Sequence, residues 1–248
     1  MWALRALPHM RAIFRAIFKT DALLTSFDGC GVFRGEEHKF DANRSWLHVD
    51  QNLRLRPKLG TSIQGALNLV DAINPADSGS FLCIPKSHRV MQERVTKGLE
   101  TALFKSKEQY RPLPLDHDLY VQSSDSKTSQ VVAIGARAGD LVLWDSGLVH
   151  ANYAPVSKSV TGRLRRLVGY CAMSEVDRMT EDEYKAFTEA RVKAVAAAVT
   201  TSHWPTATND NRMIYPRCAK FVPLAAPASC HKTVLSGAEK ALVLGQAP

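Results

Sequence analysis

The stretch Trp46–Gln51 constrains this chain more than any other, because it places a histidine and an aspartate two residues apart, His48 and Asp50. Side chains at positions i and i+2 of a β-strand point to the same face. An imidazole and a carboxylate would then share one space, as two of the three ligands of a 2-His-1-carboxylate facial triad for non-haem Fe(II). The alternative is a polar strand end, since a chain with 8 His and 24 acidic residues can contain this pattern by chance.

The third ligand should be a histidine on a distant strand, and His150 is the candidate. It ends the run Gly139–His150, in which a turn precedes the apolar strand Leu141–Trp144. Two other histidines fit less well, since His88 lacks a paired carboxylate and His38 lies among charged residues in a polar segment. The sequence therefore predicts a metal site built from residues that are far apart along the chain.

Length and composition are those of an ordinary globular protein. The 248 residues are 45% hydrophobic and 23% charged, enough to bury a substantial core in a single domain. No apolar run approaches the roughly 20 residues needed to cross a bilayer, so we expect no membrane partner. The 5 cysteines are scattered and form no CxxC pair, which argues against a disulfide framework or a zinc knuckle and indicates a reducing compartment. We expect a cytoplasmic protein.

The net charge of +8 comes from basic residues spread along the chain, with no run of five or more. A solvated surface accounts for this pattern, and no nucleic-acid motif accompanies it, so we expect no nucleic-acid partner. A positive field could still attract an anionic small-molecule substrate, such as a coenzyme A thioester or a carboxylic acid.

The N-terminal residues 1–20 carry basic and no acidic side chains, and their apolar stripe has helical spacing, with Ile13, Phe14, Ile17 and Phe18. Such a segment can be a mitochondrial transit peptide. Against that, it is poor in serine and runs directly into a strand and turn over Asp21–Gly29. We favour a structural helix, with Pro8 at its start or at a break before it.

The remaining pattern predicts a mainly β chain with flanking helices, forming one domain over residues 1–248. Its core would run from about 21 to 175, followed by a C-terminal helix and wrapping segment over 176–248. The further predicted strands are Ser62–Asp71, Phe81–Pro85, Val131–Ile134 and Arg163–Ala172. The predicted helices are Met91–Gln109, Thr180–Val199 and Ser236–Leu244. Irregular segments are predicted at Cys30–Ser45, Gln51–Gly60, Arg111–Gln130 and Ala151–Gly162.

Alternation along Ser62–Asp71 places Gln64 and Asn68 on the face opposite Ile63 and Leu67. If that polar face points into a barrel, its amides line a site. If it points outward, they belong to an ordinary solvated surface. The sequence leaves both possibilities open.

Three arginines stand at the start of the strand Arg163–Ala172. Period two puts Arg163 and Arg165 on one face and Arg166 on the other. An arginine buried in a barrel needs an anion, because an unpaired buried charge is costly. A ligand carboxylate would satisfy it with two parallel hydrogen bonds, whereas a salt bridge or an exposed strand end is the alternative.

Four blocks follow one another in a definite order: His48–Gln51, Ile63–Leu69, Asp77–Arg89, and Gly139–Ser146 leading to His150. Together these blocks resemble the phytanoyl-CoA dioxygenase family, and the resemblance spans most of the chain. The flanking segments Leu23–Gly29 and Thr201–Pro205 resemble a microbial and fungal branch of that family.

The resemblance implies a double-stranded β-helix, the jelly-roll of cupin-like proteins, that holds Fe(II) and uses 2-oxoglutarate and O2. The family's metal ligands carry over to His48, Asp50 and His150. Its arginine that anchors 2-oxoglutarate lies on the strand after the distal histidine, where Arg165 matches best and Arg163 is second.

The cosubstrate pocket would also contain Gln64, Asn68 and Asn152. The family often has a hydroxyl residue two positions after the distal histidine, so Asn152 departs from its pattern at that contact.

The activity that the resemblance implies is hydroxylation of a small organic substrate, an acyl-CoA or a secondary metabolite, with release of succinate and CO2. Asp50 argues against halogenation, because halogenases of this broader group lack the carboxylate. Two alternatives stay open, namely a non-catalytic jelly-roll binding module and a metal-dependent cupin-like enzyme that does not use 2-oxoglutarate. The sequence names neither the substrate nor the oligomeric state.

Overall fold

The computed structural model describes residues 1–34, 46–106, 109–114, 116–119, 131–153, 164–176, 180–196, 200–201, 214–215 and 235–245. His38, Arg163 and most of Thr201–Pro205 lie outside these ranges, as do residues 120–130 of the predicted loop Arg111–Gln130. No helix within the described ranges is both long enough and apolar enough to span a bilayer.

The helices are α1 (Trp2–Arg5), α2 (Pro8–Phe18), α3 (Arg56–Leu59), α4 (Pro75–Ser78), α5 (Ser87–Thr96), α6 (Glu181–Ala196) and α7 (Gly237–Leu244). The strands are β1 (Leu23–Thr25), β2 (Cys30–Arg34), β3 (His48–Val49), β4 (Ile63–Asn68), β5 (Ser80–Cys83), β6 (Arg111–Pro112), β7 (Val132–Ile134), β8 (Leu141–Asp145), β9 (His150–Tyr153), β10 (Leu164–Glu175), β11 (Thr200–Thr201) and β12 (Ile214–Tyr215). The prediction of a mainly β fold with flanking helices is confirmed.

The chain forms two compact units, of which one comprises Met1–Gly29 with Tyr170–Pro248 and the other comprises Cys30–Gly169. Strand β10 contributes its first residues to the second unit and its last residues to the first. One domain over residues 1–248 stays a prediction.

The unit Cys30–Gly169 contains two antiparallel sheets. One sheet has the order β6-β3-β9-β5-β7, and in the other β4 lies between β8 and β10, with β2 also paired to β10. The two sheets face each other, since the ring of Trp144 in β8 lies 4.5 Å from the ring of Phe81 in β5. Two facing antiparallel sheets are the arrangement of a jelly-roll.

Strand register explains how distant residues meet. β9 pairs with β3 on one side and with β5 on the other, and His150 stands directly opposite both His48 and Cys83. Directly opposed residues of an antiparallel pair project to the same face. The two histidines therefore share one face of this sheet, while a hydrophobic cluster that includes Leu47, Val49 and Ala151 takes up their neighbours in the chain.

In the unit formed by Met1–Gly29 and Tyr170–Pro248, α2 begins at Pro8 as predicted. Its apolar stripe is only partly buried, because Phe14 is fully buried whereas Ile13 and Ile17 are 37% and 40% exposed. α7 begins as predicted after Ser236, whose hydroxyl forms a capping box with Glu239.

Three predicted boundaries are wrong. The helix expected over Met91–Gln109 is α5, which ends at Thr96, because Gly98 adopts a φ of +75° that helical geometry does not allow. The segment Cys30–Ser45 was expected to be irregular but contains β2. The loop expected over Ala151–Gly162 is a strand in its first three residues, because β9 extends to Tyr153.

Candidate metal centre

His48, Asp50 and His150 come together in the unit Cys30–Gly169. One ligand atom from each lies within 4.8 Å of the others. The three residues are 4%, 4% and 3% exposed, so they form a cluster inside the protein and not a surface group of charges. Asp50 lies between the two rings, with its carboxylate oxygens 3.6 Å from His48 Nε2 and 3.1 Å from His150 Nε2.

Both imidazoles are oriented by the backbone. His48 Nδ1 lies 2.7 Å from the carbonyl oxygen of Trp46, and His150 Nδ1 lies 2.8 Å from that of Leu148. A carbonyl accepts, so each Nδ1 carries a proton, and in the neutral ring Nε2 presents a lone pair to the cluster. Metal-binding histidines usually have this tautomer and this kind of partner.

Gln64 holds the carboxylate of Asp50, and Ser146 holds its backbone. Gln64 donates from Nε2 to Asp50 Oδ2 at 3.0 Å and to Ser146 Oγ at 3.1 Å. The backbone N–H of Asp50 donates to the carbonyl of Ser146 at 2.8 Å. The polar face of β4 therefore points inward, and Gln64 orients a ligand of the cluster instead of standing apart as a surface amide.

Burial and neighbouring charge separate the two histidines. Burial lowers the pKa of His150, and the adjacent His48 lowers it further. Burial acts in the same direction on the pKa of His48, but the charge and hydrogen bond of Asp50 outweigh it, so the pKa of His48 is raised. The metal-free cluster therefore favours the second proton, on Nε2, at His48 over His150, and a metal ion must displace that proton to bind.

Aromatic side chains surround the cluster. Trp46 stacks on His48 with ring centroids 4.6 Å apart, and Tyr110 lies 5.0 Å from His48. On the other side the ring of Phe81 lies 5.3 Å and that of Trp144 5.4 Å from the ring of His150. Trp46 and Tyr110 are 44% and 43% exposed, whereas Phe81 and Trp144 are buried, so the cluster has one aromatic side toward solvent and one toward the interior.

Arg166 is a buried arginine that contacts the strand carrying His150. Its Nη1 donates to Asn152 Oδ1 at 3.0 Å, and Asn152 shares a face of β9 with His150. Arg166 is 2% exposed and its guanidinium also lies over the ring of Phe33. Arg165 is half-buried at a register shift between β10 and β2, where Leu164 opposes Arg34 and Arg166 opposes Phe33.

Two other residues considered from the sequence, Asn68 and His88, lie away from the cluster of His48, Asp50 and His150. Asn68 is buried, but its side-chain amide donates to the carbonyls of Ala66 and Asp140 at the far end of β4. His88 lines an open groove with residues of α5 such as Gln92, and none of the three clustered residues lines that groove. Ser146 and Trp144 lie in the block Gly139–Ser146, but the sequence pattern predicts no role for either. Arg166 lies in the predicted strand Arg163–Ala172, on the face opposite Arg165.

A family model described as phytanoyl-CoA dioxygenase (PhyH) matches residues 36–162 of this chain. In sequence, the chain is 28% identical over 158 residues to "Ava biosynthesis cluster protein O" of Aspergillus versicolor, covering 60% of this chain and 47% of that protein. The chain thus spans about half the length of the curated relative that it matches.

Solved structures of low sequence identity are also similar. HygX from Streptomyces hygroscopicus, crystallised with nickel and 2-oxoglutarate bound, has a TM-score of 0.42 at 17% identity, covering 71% of this chain and 65% of its own. EctD from S. alaskensis, crystallised with 2-oxoglutarate and 5-hydroxyectoine, has a TM-score of 0.45 at 14% identity, with 72% and 53% covered.

Proposed function

The chain belongs to the phytanoyl-CoA dioxygenase family of Fe(II)- and 2-oxoglutarate-dependent oxygenases, and from this premise we propose that it hydroxylates a small organic substrate. The observation that carries the proposal is the buried cluster His48, Asp50 and His150, with ligand atoms within 4.8 Å of one another. Two imidazoles and one carboxylate suit non-haem Fe(II) and leave coordination positions open. Iron and 2-oxoglutarate, when bound, supply the oxidising chemistry that adds an oxygen atom of O2 to a C–H bond and releases succinate and CO2.

The protein's own part is to present and shield this chemistry. The backbone carbonyls of Trp46 and Leu148 fix the tautomer of the two histidines, and Gln64 holds the carboxylate of Asp50. Retention of Asp50 supports hydroxylation over halogenation, because the carboxylate takes the position that a halide would need.

We assign the anchor of the far carboxylate of 2-oxoglutarate to Arg166 in place of Arg165. Arg166 is buried and reaches Asn152, on the face of β9 that also carries His150. A buried guanidinium satisfies a carboxylate with two charge-assisted hydrogen bonds. Arg165 is only half-buried and lies at the register shift between β10 and β2. Asn152 would assist Arg166 by fixing the orientation of its guanidinium.

The exposed aromatic pair Trp46 and Tyr110 indicates the kind of substrate. Both flank His48 on its solvent side, and both are more than 40% exposed. Flat exposed rings next to a metal site suit a substrate with apolar or ring-containing surface. The name of the relative from Aspergillus versicolor, a biosynthesis cluster protein, supports a secondary metabolite over an acyl-CoA.

Anaerobic absorption spectroscopy tests the proposal. We expect a weak visible charge-transfer band when Fe(II) and 2-oxoglutarate are added to the metal-free protein, and no band in His48→Ala. Arg166→Ala should weaken 2-oxoglutarate binding by roughly 100-fold, the scale for truncating one partner of a buried charge pair. Arg165→Ala is the matched control and should bind 2-oxoglutarate like the wild type.

Each alternative predicts a different result. Iron binding without a 2-oxoglutarate band would favour the metal-dependent cupin-like enzyme. Failure to bind iron would favour the non-catalytic binding module. A larger loss of 2-oxoglutarate affinity in Arg165→Ala than in Arg166→Ala would reverse the assignment of the anchor.

A further inference from the structure

Trp144 carries a buried hydrogen-bond donor that has no acceptor among the described residues. Its side chain is 7% exposed, and its indole Nε1 is shielded from solvent without a partner. Indole nitrogen can only donate, and a buried tryptophan usually finds an acceptor. A buried polar group without one costs folding free energy, so an unpaired indole N–H inside a protein calls for an explanation.

The register of the strands puts Trp144 on the inner face of its sheet, beside the cluster of His48, Asp50 and His150. Trp144 in β8 stands directly opposite Gln64 in β4, and opposed residues share a face. Gln64 itself reaches Asp50. The ring of Trp144 lies 4.5 Å from that of Phe81 and 5.4 Å from that of His150, so it forms part of the interior wall next to a predicted metal ligand.

The same wall continues to the assigned carboxylate anchor. Phe81 stands directly opposite Asn152, and Asn152 accepts the hydrogen bond of Arg166. Phe81 thus lies next to both His150 and Asn152, and Trp144 packs against Phe81 and His150. A dicarboxylate bound to the metal at one end and to Arg166 at the other would pass along the ring of Trp144.

We propose that Trp144 is a cosubstrate-binding residue that donates its indole N–H to an oxygen of bound 2-oxoglutarate. This inference rests on the proposed function. 2-Oxoglutarate offers only acceptor oxygens when ionised, and the buried indole offers only a donor, so the two complement each other. The charge on the acceptor strengthens such a hydrogen bond.

Trp144→Phe tests the donor, because it keeps a ring against Phe81 and removes the N–H. Anaerobic titration of the Fe(II)-loaded variant with 2-oxoglutarate, read from the visible band, should give a Kd about tenfold above wild type, the scale of one hydrogen bond to a charged group. The matched control is Trp2→Phe, which alters a tryptophan that packs on Phe27 in the other unit and should leave the Kd unchanged.

A second readout detects the hydrogen bond itself. The chain has 4 tryptophans, so the 15N-labelled, Zn(II)-loaded protein should give one indole N–H resonance for each. The resonance that is missing in Trp144→Phe belongs to Trp144. If that variant does not fold, single Phe substitutions of the other tryptophans assign it by elimination. We expect 2-oxoglutarate to move this resonance downfield, which packing of the ring alone would not require.

Two results are distinguishable. If wild type binds 2-oxoglutarate but the Trp144 resonance stays in place and Trp144→Phe has an unchanged Kd, the proposed role of Trp144 is wrong and the proposed function stands. If wild type does not bind 2-oxoglutarate in the iron titration, the proposed function is wrong and this role with it.

Discussion

Gln64 illustrates how a residue outside the candidate ligand set can fix the geometry of a candidate ligand, Asp50. Its side-chain amide bridges Asp50 and Ser146, at 3.0 and 3.1 Å. The amide can donate to the carboxylate without adding charge, so it fixes the position of the oxygens and leaves the cluster's net charge unchanged. Outer-sphere partners of this kind orient metal ligands and tune the affinity for the metal.

We predict that Gln64→Leu weakens metal binding by about tenfold or more while the protein stays folded, because outer-sphere substitutions typically cost 10- to 100-fold in affinity. Competition titration with a coloured metal chelator measures the change. Asn68→Leu is the control on the same face of β4, since the Asn68 amide donates to the backbone near Asp140. Equal losses in the two variants would contradict a specific role for Gln64.

Residue identity alone could reveal the candidate ligands but not which arginine we propose as the anchor of 2-oxoglutarate. The i and i+2 spacing of His48 and Asp50 is readable because strand geometry turns it directly into proximity. The choice between Arg165 and Arg166 depends on a register shift between β10 and β2. A bulge inserts an extra residue and breaks the period of two, and its position depends on the partner strand, so counting along one strand cannot locate it.

At the scale of elements, close backbone approaches connect the strands of the unit Cys30–Gly169. Gly135 follows β7, next to an isolated bridge between Ala72 and Ala136. A Cβ atom at Gly135 would lie 2.3 Å from the carbonyl oxygen of Ile73. Only a residue without a side chain allows the two backbone segments to approach this closely.

We predict that Gly135→Ala destabilises the protein by about 2 kcal/mol, in the range for forcing extra atoms into a packed site. Gly29→Ala is the control, because nothing lies within 4 Å of a Cβ built there. Urea unfolding midpoints of the two variants measure the difference. An unchanged midpoint in Gly135→Ala would mean that the Ile73 segment moves aside at little cost.

Element type was more predictable than element boundary. Alternation and apolar runs identified β4, β5, β8 and β10, because those patterns depend on neighbours along the chain. The predicted helix was longer than α5 because apolar residues continue the helical spacing beyond Gly98. Of these, Phe104 is buried from a turn, whereas Leu99 is exposed. β9 was missed because its identity as a strand comes from pairing with β3 and β5 rather than from its own sequence.

At the scale of the whole molecule, metal binding links to folding through protons. The cluster exists only when residues 48 and 150 are brought together, so a metal ion binds the folded chain and stabilises it. Folding raises the pKa of His48 above its ordinary 6.5. The stabilisation that this proton gives the metal-free protein is fully present below 6.5 and is lost as the pH rises through the raised pKa. The lowered pKa of His150 acts in the opposite sense: its contribution is fully present above 6.5 and is lost as the pH falls from there through the lowered pKa.

We predict that saturating metal raises the unfolding temperature, and that the gain shrinks as the pH falls through the raised pKa of His48, because the proton competes with the metal. Metal at 100 times its Kd adds about 2.7 kcal/mol, or about 5 °C for a chain of this size. Scans with and without Zn(II) at several pH values measure the gain directly.

His150→Ala should abolish the rise in unfolding temperature that the metal gives the wild type. The control is His88→Gln, which changes a histidine of the open groove outside the cluster and should keep it. A gain that is independent of pH, or that survives in His150→Ala, would show that the metal binds elsewhere.

The position of β9 between β3 and β5 also has a consequence for how the chain folds while the ribosome synthesises it. Both neighbours leave the ribosome before β9 does, so each keeps one unpaired edge while the intervening chain is translated. Exposed edges recruit other strands, and sheets closed by distant segments form slowly. The late arrival of His150–Tyr153 therefore covers these two edges and delivers the last candidate iron ligand in the same step.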